Sequence, residues 1–431
     1  MLFLLLFFIS TNVFSQEKLT LEDAIKNCLA NNYQINIVKK DLEISENNIN
    51  KGNAGMLPTI DARSAYRYSN PQKLIEFAGN AQPPIETDGA NVENISASVE
   101  LNWTLFDGFA MFSNYDKLES LKDLSEIQLQ IMVENKVKEL INSYLNALTI
   151  QENIKISKQS LELSRDRINK INDQIEFGVI NKSQLLQAQV DFNSDSSEYL
   201  KSELNFANAI RSLNYTMGIK VDKKYKLENN IKFIDLETYE EVKEKVFSKN
   251  SNINLALKSK EISILDYEII LSNFYPRVNL AGDYSYSRNT DDANFTTLIS
   301  NNGPSISLNA SWNLYNGNKN SIQAQNNKIL QEKSELEINN IKQSIELSLI
   351  SLWDSYNRQK QILELEESNS KIADENFYRA IEEFKFSRIT SLELRQAQLN
   401  LVLSENKIIT AKNNLKNIES QIFLLMGEMP N

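Results

Sequence analysis

From Phe109 to Phe177 the chain contains neither glycine nor proline, and from Asn318 to Met426 it contains neither again. Such a run has no residue that removes a backbone donor or loosens the backbone, so a helix can continue through it. The first run is 69 residues long, or about 100 Å of helix at 1.5 Å per residue. Within it Ile154, Leu161, Ile168 and Ile175 recur every seven residues, with Ser157, Ser164 and Ile171 between them. After Gly178 the same rhythm returns in Leu185, Ala188, Phe192, Tyr199, Phe206, Leu213 and Met217. Heptads sustained this far indicate coiled-coil packing rather than a globular core. The whole chain has 11 Gly and 7 Pro in 431 residues, well under the average usage of about 7% and 5%. It must spend its length in few, long elements.

The chain also repeats itself. WTLFDG at 103–108 returns as WNLYNG at 312–317, Gln187-Ala188-Gln189 as Gln396-Ala397-Gln398, and Met217-Gly218 as Met426-Gly427, each 209 residues on. Upstream the offset is 218, pairing Ile35-Asn36 with Ile253-Asn254 and Pro58 with Pro276. One loop between Pro58 and Trp103 accounts for the difference. Two tandem repeats are expected, 16–218 and 237–431, with residues 219–250 as the connector. Each repeat would hold a β-hairpin and a very long helical hairpin.

The strands are read from period-two alternation. Ala97, Val99, Leu101, Trp103 and Leu105 alternate with polar residues, as do Ile306, Leu308, Ala310, Trp312 and Leu314. Partner strands precede them, with Ile60, Ala62, Tyr66 and Tyr68 matched by Val278, Leu280, Tyr284 and Tyr286. The expected strands are 58–69, 95–106, 276–287 and 304–315, with loops at 71–93 and 288–303. The expected helices are 109–175, 181–217, 318–384 and 390–426. Strands of this length suit a tilted bilayer crossing. Their aromatic ends suit interfacial girdles: Tyr66, Tyr68, Tyr284 and Tyr286 at the loop end, and Trp103, Phe106 and Trp312 at the helix end. Four strands cannot sit open in lipid, because their edges would expose unpaired backbone groups. The barrel must be shared between chains, as a dimer or a trimer.

Composition removes most alternatives. There is no histidine and one cysteine, Cys28. Histidine-dependent triads, histidine or cysteine metal sites and internal disulfides are therefore absent, and no cofactor or catalytic site is expected. A net charge of −11 repels nucleic acid. The opening MLFLLLFFISTNVFS (1–15) reads as a secretory signal peptide, too short for a span. No apolar run long enough for a transmembrane helix follows it.

These residues resemble the TolC-like outer-membrane efflux proteins. The resemblance rests on LTLEDAIKNCLANN (19–32), Leu57-Pro58, WTLFDG and WNLYNG, and on IEFGVINKSQLLQAQ (175–189) and FKFSRITSLELRQAQ (384–398). It implies a mainly α protein with a membrane β-barrel contribution. Three chains would form a twelve-strand barrel in the outer membrane, continued by a twelve-helix periplasmic tube. The implied function is a passive exit duct for a tripartite pump or a type I secretion system. Its partners would be a periplasmic adaptor (membrane fusion) protein, an inner-membrane RND or ABC-type transporter, and outer-membrane lipid. The helical hairpins would turn at Gly178 and Ser387. Beyond those turns Lys182, Gln184, Gln187, Arg388, Glu393 and Gln396 would form the periplasmic gate. By the same resemblance Glu393 and Gln396 hold the two positions of an acidic ring, of which only one is charged here. Glu393 can also be read as a solvated helix residue. The competing architecture is a periplasmic coiled-coil adaptor or scaffold without a barrel, which would need no lipid-facing girdle.

Overall fold

The computed structural model describes residues 18–76, 78–80, 82–177, 182–293 and 296–429. The signal-peptide segment 1–15 and the Gly178 turn lie outside the described residues. The chain opens with β1 (Lys18–Leu19), α1 (Leu21–Asn31) and α2 (Tyr33–Asn48), then β2 (Thr59–Ser69), β3 (Lys73–Ile75), β4 (Ile85–Thr87) and β5 (Val92–Phe106). The long helices α3 (Ala110–Glu176) and α4 (Lys182–Met217) follow. Next come β6 (Lys226–Leu227), α5 (Tyr239–Lys249), α6 (Ser251–Leu271), β7 (Arg277–Asp291) and β8 (Leu298–Ser311). The helices α7 (Lys319–Lys385) and α8 (Ser391–Leu425) close the chain. No described helix is long and apolar enough to cross a membrane.

The chain divides into two compact units that cut across the sequence repeats. One comprises residues through Lys40, Ile127–Asn254 and those from Asn339 on; the other comprises Asp41–Glu126 and Leu255–Ile338. Each draws on both halves of the chain.

In the second unit β2, β5, β7 and β8 form one antiparallel sheet in that order. β2 and β8 are its open edges. The register sets strand lengths that alternation alone misjudged. β7 pairs with β8 as far as Thr290↔Leu298, so most of the expected 288–303 loop is ladder. At the other end β8 stops at Ser311, opposite Arg277, so Trp312 and Leu314 lie past the strand. β5 has a neighbour on each side and stays extended to Phe106, opposite Val278. β8 has one neighbour and stops where that neighbour begins. The 71–93 loop carries its own small hairpin, β3 with β4.

The first unit is helical. Thr20 caps α1 by accepting from the Asp23 amide, and Ala24 and Cys28 turn inward. The supposed connector does the same: Thr238 and Glu241 form a capping box for α5, which buries Val242 and Val246. The 219–250 connector thus includes a capped helix whose i, i+4 apolar pair has a core to join. Asn32 and Asn250 are buried at matching joints. Each amide caps the next helix through its oxygen and donates through Nδ2 to a carbonyl, Thr216 at 2.8 Å and Leu425 at 3.0 Å. Gly218 (φ 72°) makes the first joint possible, since a Cβ there would sit 2.4 Å from the Asn31 carbonyl oxygen. Cys28 lies inside, its thiol pushed up to about 11 by burial, with Sγ donating to the Thr216 carbonyl.

Candidate functional site

Two surfaces carry the functional expectation, and each lies within one unit. The first is the sheet. Its cross-strand rows run Ile60–Leu101–Gly282–Ile306 and Ala62–Val99–Tyr284–Pro304 on one face, and Asp61–Glu100–Asp283–Ser305 and Arg63–Ser98–Ser285–Gly303 on the other. Burial runs opposite to that of a soluble sheet. Val99 is 52% exposed and Ile306 81%, whereas Ser96, Ser98 and Glu100 are half-buried. The polar side carries an open recess along Ser98, Glu100, Asp283 and Ser285. Exposed apolar side chains beside half-buried polar ones reverse the usual ordering of a sheet that packs on a core.

The aromatic positions need correcting against this register. Tyr66 and Tyr68 lie near the loop end of β2, opposite Ile95 and Glu93. Tyr284 pairs with Val99, and Tyr286 with Ala97, both mid-sheet, because β7 continues to Asp291. The four tyrosines share the exposed face but not one level. At the helix end Trp103 donates from Nε1 to the Met56 carbonyl at 2.9 Å. Trp312 donates to the Phe274 carbonyl at 3.0 Å. Phe106 leaves the girdle: its ring is half-buried and meets Phe109 edge-on at 5.1 Å.

The second surface is the helix-turn region of the other unit. Ser387 turns α7 into α8 at φ 54° and accepts a bond from Gln174 Nε2 on α3 at 3.1 Å. Arg388 is exposed over the Phe386 ring. Glu393 is the N3 residue of α8 and closes a capping box with Thr390, accepting from its N–H at 2.7 Å and its Oγ1 at 2.8 Å. The Thr390 amide and hydroxyl hold its carboxyl below the usual carboxylate range. Gln396 donates to Asn400, Gln187 donates to Asp191, Lys182 is exposed and Gln184 is half-buried. Among the described residues, the side-chain bonds of Gln187, Glu393 and Gln396 stay within their own helices and caps.

The contacts that join helices fall to residues the sequence reading passed over. Arg395 of α8 grips Asp195 of α4 with two N–H···O bonds of 2.7 Å. Ser164 of α3 donates to the same carboxylate. Arg167 of α3 is 3% exposed and donates from Nη2 to Asp191 at 2.7 Å. Gln398 donates to the Ser160 hydroxyl at 2.8 Å.

Residues 24–218 and 249–428 match the outer membrane efflux protein family. The chain belongs to that family. The resemblance read from WTLFDG, WNLYNG and the turn segments therefore holds. Nodulation protein T of Rhizobium leguminosarum bv. viciae is 31% identical over 122 residues. That match spans 28% of this chain and a quarter of the relative's length. A membrane protein from Pseudomonas aeruginosa shares the fold with a TM-score of 0.76 at 14% identity, over 95% of this chain and 90% of that one. The Campylobacter jejuni CmeC outer membrane channel does so at 0.74 and 14%, over 94% and 85%. The mainly helical architecture is thus that of TolC-like channels, transport proteins rather than enzymes.

For this efflux-family chain the missed network had a faint signal. Asp191 and Asp195 are an i, i+4 pair, and Ser164 and Arg167 an i, i+3 pair, on helices otherwise striped with apolar residues. Such spacing places each pair on one helix face. It does not say that the two faces meet.

Proposed function

We propose that this protein is the outer-membrane exit duct of a tripartite efflux pump or type I secretion system, passing its cargo passively to the exterior. The observation that carries this reading is the open four-stranded sheet with its apolar face outward and both edges free. Unpaired edges are not tolerated in hydrocarbon. Closure then requires β8 of one chain to pair with β2 of the next, and three chains give a twelve-strand barrel within the bacterial size range. From Ile95 to Leu105 the exposed face rises about 34 Å along the strand, at roughly 3.4 Å per residue. At a tilt near 45° that is about 24 Å of height, close to the ~25 Å apolar band of such barrels. The hairpin loops then face the exterior and the α-helical turns the periplasm, with Glu393, Gln396, Arg388, Lys182, Gln184 and Gln187 at the gate. A periplasmic adaptor and an inner-membrane RND or ABC-type transporter complete the assembly.

The test is edge cross-linking in membranes. Ser64→Cys on β2 is combined in turn with Ser300→Cys, Asn302→Cys or Pro304→Cys on β8; buried Cys28 does not compete. A ladder ending at three linked chains in at least one combination is expected. Monomer alone in all three combinations rejects the shared barrel.

A further inference from the structure

By register, every charged side chain of the four sheet strands lies on the polar face except two, Glu93 and Arg288. Both stand at the loop end of the apolar face. Arg288 of β7 belongs to the row Tyr66–Ile95–Arg288–Ser300. It is exposed, and no described residue forms an ion pair or a side-chain hydrogen bond with it. Glu93 lies one row farther out, opposite Thr290, and is not ion-paired with Arg288.

A guanidinium among apolar side chains is costly at the middle of a hydrocarbon layer and nearly free at its boundary. The level of Arg288 is therefore informative. Ile95, directly opposite it on β5, ends the apolar stretch that begins at Leu105 and spans about 24 Å of height at a tilt near 45°. Arg288 stands where that stretch stops. Tyr286 precedes it on the same strand face by about 7 Å and is an aromatic of the kind that sits at headgroup level. Ser300 opposes Arg288 across the β7–β8 ladder, at the ~5 Å Cβ spacing of directly paired residues, and brings a hydroxyl. A planar guanidinium binds phosphate through two parallel N–H···O bonds, while its stem lies along apolar surface.

We propose that Arg288 and Ser300 hold the phosphate of a lipid headgroup, with Tyr286 and Ile95 against its glycerol and upper acyl chains. The proposal rests on the membrane reading of the sheet given above. A neutral headgroup leaves the guanidinium without a partner. Free phosphate forfeits the apolar contacts on either side.

The experiment uses the full chain purified in dodecyl maltoside and titrated with dilauroylphosphatidate, with dilauroylglycerol as the control that has the same chains and no phosphate. Retained lipid is counted by native mass spectrometry. The phosphatidate should bind more tightly by about ten-fold or more, the scale of a lost charge-assisted hydrogen bond. Arg288→Gln should erase that preference. Arg67→Gln, on the polar face in the adjoining row Arg67–Asn94–Asn289, should leave it intact. Equal retention of the two lipids, a preference unchanged in Arg288→Gln, or an equal loss in Arg67→Gln overturns the proposal while the duct reading stands. Displacement of the phosphatidate by an equal concentration of inorganic phosphate overturns it in the same way. Retention of neither lipid overturns the proposal and counts against the membrane reading as well.

Discussion

Placing one arginine on either face of β5 tests which face meets lipid. Val99 is the middle residue of the strand, paired with Ala62 on one side and Tyr284 on the other, and it is 52% exposed. Val99→Arg removes no buried contact of consequence, so its effect in lipid is the cost of the charge. At a bilayer midplane on a barrel's outer face that is about 2–4 kcal/mol per chain. Ser98 is the next residue along and points to the polar side, near Glu100, to which its hydroxyl donates at 3.0 Å. Ser98→Arg adds a cation to a wet, mixed-charge surface, where the effect stays within about 1 kcal/mol of either sign. The adjacent substitutions should therefore differ by roughly 2–3 kcal/mol per chain, about 30- to 150-fold in the folding equilibrium. The assay is urea unfolding of protein folded into lipid vesicles, followed by far-UV circular dichroism, with both variants also measured in detergent. The gap should shrink in detergent, where head groups and water reach the belt. Equal midpoints for the two variants in vesicles, or a larger loss for Ser98→Arg, would refute the face assignment and the membrane reading with it.

Gly218→Ala and Gly317→Ala share a left-handed backbone, φ 72° and 68°, but only the first would meet backbone within 4 Å. Gly317→Ala should cost about 1–2 kcal/mol and Gly218→Ala clearly more, read as denaturant midpoints; equal shifts would contradict the close approach to Asn31. Arg395→Met leaves the enclosed Asp195 carboxylate without its bidentate partner and should destabilise by about 3–5 kcal/mol. Adding Asp195→Leu should recover more than half of that loss, and no recovery would mean the two residues do not act as a pair. Glu393→Gln keeps the capping box, since Gln also serves at N3, while removing the charge. If the gate reading is right, cation preference and block by multivalent cations in planar bilayers fall in this variant; unchanged conductance properties remove Glu393 from the constriction. The carboxyl is held low in the folded chain, so its capping contribution is present above the unfolded carboxylate pKa of about 4.3 and lost as pH falls through the folded value. Acid melting of the first α8 turn should accordingly be absent in the Gln variant.

That the chain is built mainly of long helices was legible in the Gly- and Pro-free runs, and that it carries amphipathic strands was legible in the alternation through Val99 and Ile306. Both depend on local rules, the backbone freedom of single residues and side-chain periods of 3.5 and 2. The Thr390-x-x-Glu393 capping box is equally local, a motif readable from its spacing alone. Strand ends were another matter. The continuation of β7 to Asp291, the early stop of β8 at Ser311 and the mid-sheet level of Tyr284 follow from which strand lies alongside and where it ends. No residue within the strand encodes that. The α5 helix inside the 219–250 connector needed a core to receive Val242 and Val246. Arg395 and Asp195 meet across 200 residues of chain, and each alone looks like a solvated charge on a long helix. Only the tertiary structure distinguishes them from such charges, because burial and pairing depend on the neighbouring helices rather than on the sequence around either residue.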